Sequence, residues 1–398
     1  MLIELLIAIS LGILIGTFTG LSPGIHINLV AAFLVSISAA LLTITSPITL
    51  VIFIVSMGIT HTFIDFIPSI FLGAPEEDTA LSVLPGHQLL IEGKGYEAVK
   101  LSAYGSLFST LTIILILPIF LFVLPKIQNL LQIIIPIFLI LSSGYIFYTE
   151  KNRIAAIIVF LLSGFLGISV LNSNLNLTEP LIPLFTGLFG ISSLIVSIKS
   201  KTKIPPQETK IKINKKDLIQ PLFASFVIAP LCSIIPGIGS SQAAVISSTL
   251  IESTNKRFLV LLGAASTTVL GLSFIVLYSL NKSRSGLAVM IEKLMPEISS
   301  LNLGIIILTI VISSLIAFFL AIYIGKLFAK NINKINYTKL SIYIILFLNF
   351  IVLIFSGLYG FLILIVSTLL GLYCIISGVK RINLMACLIL PTILIYLL

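Results

Sequence analysis

The stretch GTFTGLSPGIHINLVAAF, residues 16–33, breaks an apolar run with Gly16, Gly20, Pro23 and Gly24, then sets His26 and Asn28 directly after the break. Proline removes a backbone donor and glycine tolerates positive φ, so Pro-Gly ends a helix. The chain around it has 398 residues, 58% hydrophobic and 9% charged, where a soluble domain carries about 25% charge. Apolar runs of roughly 18–25 residues recur from end to end, each long enough to cross a bilayer as a helix. A transmembrane barrel would show short alternating segments instead. The fold class is therefore an all-α, polytopic integral membrane protein of the cell membrane.

Apolar segments read at 2–22, 24–45, 47–72, 99–124, 127–148, 153–171 and 178–198, then at 218–235, 238–254, 257–280, 302–325, 339–356, 358–378 and 382–397. That gives about 12–14 membrane segments, depending on whether 2–45 and 218–254 are re-entrant hairpins or full crossings. Residues 1–22 lack the basic start and small-residue cleavage pattern of a leader and read as the first membrane segment. Between the halves lies KSKTKIPPQETKIKINKKD, residues 199–217. The expected organisation is a first repeat, 1–198, a basic cytoplasmic linker, 199–217, and a second repeat, 218–398.

The repeat rests on a second broken stretch. LSPGIHINLVAAFLVS begins at Leu21 and IIPGIGSSQAAVISST at Ile234, and each places Pro-Gly-Ile ahead of polar residues and a small-residue helix. Polar loops follow at 73–98 and 281–300. An odd number of crossings per half makes the two repeats inverted. The lysine-rich linker sets the cytoplasmic side. Counting outward puts Lys151/Arg153, Lys256/Arg257, Lys380/Arg381 and loop 73–98 on that side, with loop 281–300 opposite.

Freed backbone groups in hydrocarbon cost several kcal/mol each, so such breaks persist only inside protein or beside water. Matching breaks in two halves point to a transporter's binding site, because helix N-termini offer N–H groups and partial positive charge to an anion. The candidate substrate-binding residues are Pro23, Gly24, His26 and Asn28 in the first half, and Pro236, Gly237, Gly239, Ser240, Ser241 and Gln242 in the second. His61 and Asp65, four apart and so on one helix face, are candidates for ion coupling. Cys232, Cys374 and Cys387 are scattered in apolar surroundings and read as core residues. The net charge of +9 sits at segment ends and marks loops, with no nucleic-acid role and essentially no basic residue in the membrane. No cofactor is expected.

The block SIFLGAPEEDTALSVLPGHQLLIEGKGYEAVKLSAYGS, residues 69–106, resembles the large membrane subunit of tripartite tricarboxylate transporters, the TctA family, in an archaeal-type branch. The matching features are Pro75, TAL at 79–81 and PGHQLLIEGKGYEAV at 85–99; both Pro-Gly stretches are similar as well. The resemblance implies a permease for organic anions driven by a cation gradient. It also implies a small membrane subunit and an extracytoplasmic binding protein as partners. Glu76, Glu77 and Asp78 depart from the family's neutral, glycine-rich stretch and would repel a carboxylate unless protonated, paired or turned to water.

The leading function is a secondary active transporter for a small organic anion, a carboxylate by preference, coupled to H⁺ or Na⁺. The substrate would sit between the two broken regions, and the chain could form an oligomer. No phosphate-binding G-x-x-x-x-G-K-[ST] stretch occurs, so this chain does not hydrolyse ATP. Two alternatives stay open: a carrier of lipid-linked phosphate, and a membrane-embedded enzyme using His61 and Asp65.

Overall fold

Two helices are buried almost all round, and they form the centre of the molecule. The structure is a computed structural model, described at residues 2–22, 27–74, 79–148, 150, 152–171, 180–199, 204–211, 213–234, 239–334 and 336–397. Among these residues every regular element is helical. Of eight helices long and apolar enough to cross a membrane, Pro47–Leu72 and Asn255–Leu280 are 94% buried, and the other six only 33–44%. Hydropathy does not separate these groups. The central pair carries Ser56, Thr60, His61, Thr62, Asp65, Ser266, Thr267, Thr268 and Ser273, all buried. Facing such groups to lipid is expensive.

In chain order the first half contains α1 (Leu2–Leu21), α2 (Ile27–Ser36), α3 (Ser38–Leu41), α4 (Pro47–Ile64), α5 (Phe66–Leu72), α6 (Val83–Ile91), α7 (Gly95–Tyr148), α8 (Arg153–Leu171), α9 (Leu181–Phe185) and α10 (Ser192–Lys199). A π-helical turn, Thr186–Ile191, joins the last two. The second half contains α11 (Lys216–Ile234), α12 (Ser240–Ser248), α13 (Asn255–Leu280), α14 (Gly286–Leu294), α15 (Ser300–Asn331), α16 (Tyr337–Ile376) and α17 (Ala386–Leu397).

The segment count from sequence needs correction. The segments 99–124 and 127–148 are one continuous helix, α7, whose crossing portion is Gly95–Ile127. Segments 339–356 and 358–378, by contrast, are two helical stretches: α16 is broken at Gly357, whose φ of 61° and ψ of −161° suit glycine alone. Segments 24–45 and 238–254 contain short helices, α2 and α12, of 10 and 9 residues. At about 1.5 Å per residue these reach only half-way across a core of about 30 Å.

Glycines set the closest helix contacts. Gly12, Gly16 and Gly20 lie one turn apart on α1, and a Cβ at each would fall 2.6 Å from Phe53 O, 2.4 Å from Met57 O and 2.8 Å from Ile64 Cβ. Backbones meet there as small-residue spacing allows. The ascending order shows that α1 and α4 are parallel, so the chain must turn back through α2 to reach Pro47. Residues 2–45 form a hairpin that starts and ends on one face. Likewise α13 runs parallel to α7: a Cβ at Gly105 would meet Val260 O at 2.3 Å, and one at Gly271 would meet Ile113 at 2.4 Å.

Packing partners correspond between halves. α1 lies along α4 as α11 lies along α13; α15 packs on α4 as α7 packs on α13; α14 touches α4 as α6 touches α13. The linker docks beside the loop before α7: Gln207 donates to Leu90 O at 2.9 Å and accepts from Gly95 N at 2.8 Å, while Glu208 N donates to Gly93 O at 2.8 Å. Lys256 pairs with Glu97 at 2.5 Å, and Arg257 with Asp217 at 3.4 Å. Residues 90–97, the described linker residues from Gln207 to Asp217 and the start of α13 therefore share one face. Lys380 and Arg381, read as a pair of loop charges, differ: Lys380 is exposed, but Arg381 is 7% exposed and folded inward.

Candidate functional site

The site residues named from sequence fall into three groups. Pro23, Gly24, His26, Pro236 and Gly237, with Glu76, Glu77 and Asp78, lie outside the described residues. Asn28, Gly239, Ser240, Ser241 and Gln242 lie at the starts of α2 and α12. His61 and Asp65 lie on the central helix.

Asn28, in the first turn of α2, packs on the first residue of α14. A Cβ at Gly286 would fall 2.5 Å from Asn28 Oδ1. This contact joins the two halves of the chain, and both residues are half-buried. Gly58 of α4 faces Leu287 and Leu270 at the same level. Gly58 is 11 residues past Pro47, so this level is roughly 16 Å along α4, about the middle of a bilayer core. Ser285 caps α14 by accepting from Ala288 N at 3.2 Å, and its hydroxyl bonds Ser273 of α13 at 2.8 Å. In the other half Ser69 of α5 donates to Thr79, ahead of α6, at 2.7 Å. Thus a serine on each central segment ties down the start of a short helix.

Gly239, Ser240, Ser241 and Gln242 open α12, which packs between α11 and α13. Gln242 Oε1 accepts from Gly239 N at 2.9 Å and closes the first turn. Among the described residues its buried Nε2 has no hydrogen-bond partner. Ser240 and Ser241 are each 1% exposed. A buried unpaired amide donor is costly, of order 1–3 kcal/mol, unless an acceptor joins it.

His61 and Asp65 come together, with Nε2 4.0 Å from Oδ2. Sequence reasoning missed the third member. Thr19 of α1 bonds His61 Nδ1 at 3.0 Å, with the proton's side set by the ring tautomer. The glycine spacing of α1 was the available signal, because it fixes the register that brings Thr19 to His61. A Cβ at Gly20 would come 3.2 Å from Asp65 N, so this chain of polar groups lies beside the last turn of α1. It was also not legible that Thr62 and Thr267 bond at 2.9 Å and pin the central helices together. Among the described residues no group of three or more His, Cys, Asp or Glu gathers as a metal site.

With this geometry in place, comparison with known proteins is informative. The family described as "Tripartite tricarboxylate transporter TctA family" matches residues 6–386. An uncharacterized protein of Methanocaldococcus jannaschii is 33% identical over 401 residues, 98% of this chain and 99% of that relative. No solved structure matches. The chain belongs to the tripartite tricarboxylate transporter TctA family and is a multi-pass membrane protein. That family is one of transporters, not of enzymes.

Proposed function

From membership of the TctA family, we propose that this chain is the permease of a secondary transporter for a small organic anion, a carboxylate by preference, coupled to H⁺ or Na⁺. The observation that carries it is the meeting of Asn28 with Gly286. Two short helices from different halves begin there, near mid-depth, and helix starts direct N–H groups and partial positive charge at an anion. Ser240, Ser241 and the unpaired Nε2 of Gln242 supply further donors at the matching break of the second half. Thr19, His61 and Asp65 supply the groups that can take up a cation or a proton. A small membrane subunit and an extracytoplasmic binding protein are the partners that the family implies.

We further infer that residues 1–198 and 218–398 are inverted repeats joined by the linker 199–217. The corresponding helix partnerships, and the parallel run of α1 with α4, support it.

The test is uptake into proteoliposomes from a panel of di- and tricarboxylates under imposed H⁺ or Na⁺ gradients. A saturable, gradient-driven flux lost in Asn28→Ala and Gln242→Ala is the expected result. Flux restricted to polyprenyl phosphates would replace the carboxylate by a lipid-linked phosphate.

A further inference from the structure

Arg381 is a buried cation whose hydrogen-bond acceptors among the described residues are all neutral. One terminal nitrogen donates to Leu188 O at 3.1 Å, Phe189 O at 2.6 Å and Ser192 Oγ at 3.3 Å. The other donates to Ser193 Oγ at 2.7 Å. These acceptors lie in the π-helical turn and the start of α10, where the wider turn loosens the regular carbonyl pattern. The guanidinium carbon sits 5.1 Å over the Phe189 ring. Nε is buried with no hydrogen-bond partner, and among the described residues no carboxylate lies within ion-pair distance. Glu150, a buried acid of this region, is engaged by Asn383 Nδ2 at 2.7 Å and Lys380 N at 3.1 Å instead. Burial pushes the guanidinium down to about 10, which leaves it charged at neutral pH. A buried charge without a counter-charge is unfavourable.

A cavity of about 360 Å³ opens at this cation, within the range of small-molecule sites. Its walls are mostly apolar, with Val83, Leu194 and Ile375 among them, and its polar groups converge at one end in Ser193, Lys380 and Arg381. His87 also lines it. The cavity lies between the start of α6, α10 and the turn after α16, away from the contact of Asn28 with Gly286.

We propose that this cavity binds an amphipathic anion: a carboxylate or phosphate group carried on an apolar body, with the anionic group at Arg381, Ser193 and Lys380. The guanidinium fork suits either group, and the apolar walls take the hydrocarbon. Such a ligand supplies the charge that Arg381 lacks. The site stands on its own geometry and does not depend on what is transported.

The test uses the full chain in neutral detergent, with thermal unfolding followed as octanoate, a short-chain phosphatidylglycerol or inorganic phosphate is titrated in. The expected result is saturable stabilisation by octanoate or by phosphatidylglycerol, not matched by inorganic phosphate. Octanoate alone identifies a free carboxylate as the source, and phosphatidylglycerol alone a membrane lipid. Arg381→Gln should weaken half-saturation about tenfold or more. Val83→Trp fills the cavity while leaving every bond of Arg381 in place, so it keeps the test decisive if Arg381→Gln misfolds. Absence of stabilisation by both amphiphiles, or stabilisation unchanged in Val83→Trp, overturns the proposal.

Discussion

At the scale of single residues, His61 and Asp65 show how far chemistry can be read from spacing. Four residues apart on an apolar helix, they had to share a face, and the structure sets them 4.0 Å apart. Thr19 had no such signal, because its partner is 42 residues away and depends on the register of α1 against α4. If the three act as the coupling unit, Asp65→Asn should abolish uptake driven by an imposed cation gradient while substrate counterflow persists. Loss of both would make Asp65 structural. Thr19→Val should lower stability by about 1 kcal/mol, since it removes a buried hydrogen bond to the imidazole. Thermal unfolding of the variant measures it.

His87 makes a second residue-scale prediction, this one in pH. Burial holds its imidazole down to about 4, from 6.5. Above pH 6.5 neither the folded nor the unfolded chain binds that proton. As pH falls below 6.5 the unfolded chain takes it and the folded chain does not, until the pH nears 4. Stability from this group is therefore fully present above 6.5 and declines down to about 4. His87→Gln should flatten that part of the melting-midpoint curve. An unchanged slope in the variant would contradict the assignment.

At the scale of elements, legibility depended on whether the chain carried its own stop signal. Pro-Gly announced the ends of α1 and α11 and the short helices after them. Nothing comparable announced α14, whose start at Gly286 follows a stretch of Asn281, Lys282, Ser283 and Arg284 that reads as an ordinary polar loop. Its place is set by tertiary contacts, the Ser273–Ser285 bond and the seat of Asn28 on Gly286. The over-count of segments has a similar cause: Pro118, Pro125 and Pro136 suggest breaks, yet α7 continues through all three. Arg381 misled in the opposite sense, because next to Lys380 it resembled a surface charge, and only the acceptors of the π-helical turn explain its burial. The parallel contact of α1 with α4 should be intolerant of bulk. Gly16→Leu places atoms where Met57 O now lies and should destabilise the fold by about 1–3 kcal/mol or more. Leu14→Ala, on the exposed face of the same helix, should be near neutral. Equal losses in the two variants would refute the packing argument.

At the scale of the whole molecule, the charges explain how the halves are arranged. The linker is tied to the loop before α7 by Gln207 and Glu208, and Lys256 and Arg257 are tied to Glu97 and Asp217. These contacts gather basic residues from both halves onto one face, which the positive-inside bias assigns to the cytoplasm. The loop of the second half that corresponds to 73–98 is reached by α13, which starts at that face and is 26 residues long, enough to cross. Under the proposed inversion loop 281–300 opens on the other side, despite Lys282, Arg284 and Lys293. Inversion of the halves thus becomes a question of sidedness. Cys232, Cys374 and Cys387 are all buried, so single cysteines introduced at exposed positions can be labelled over a low background. Glu92→Cys and Lys210→Cys should react with a membrane-impermeant maleimide only after the cytoplasmic face is opened. Glu297→Cys should react in sealed cells. If Glu297→Cys labels together with the other two, the halves are not inverted, and Asn28 and Gln242 no longer belong to matching halves of one site.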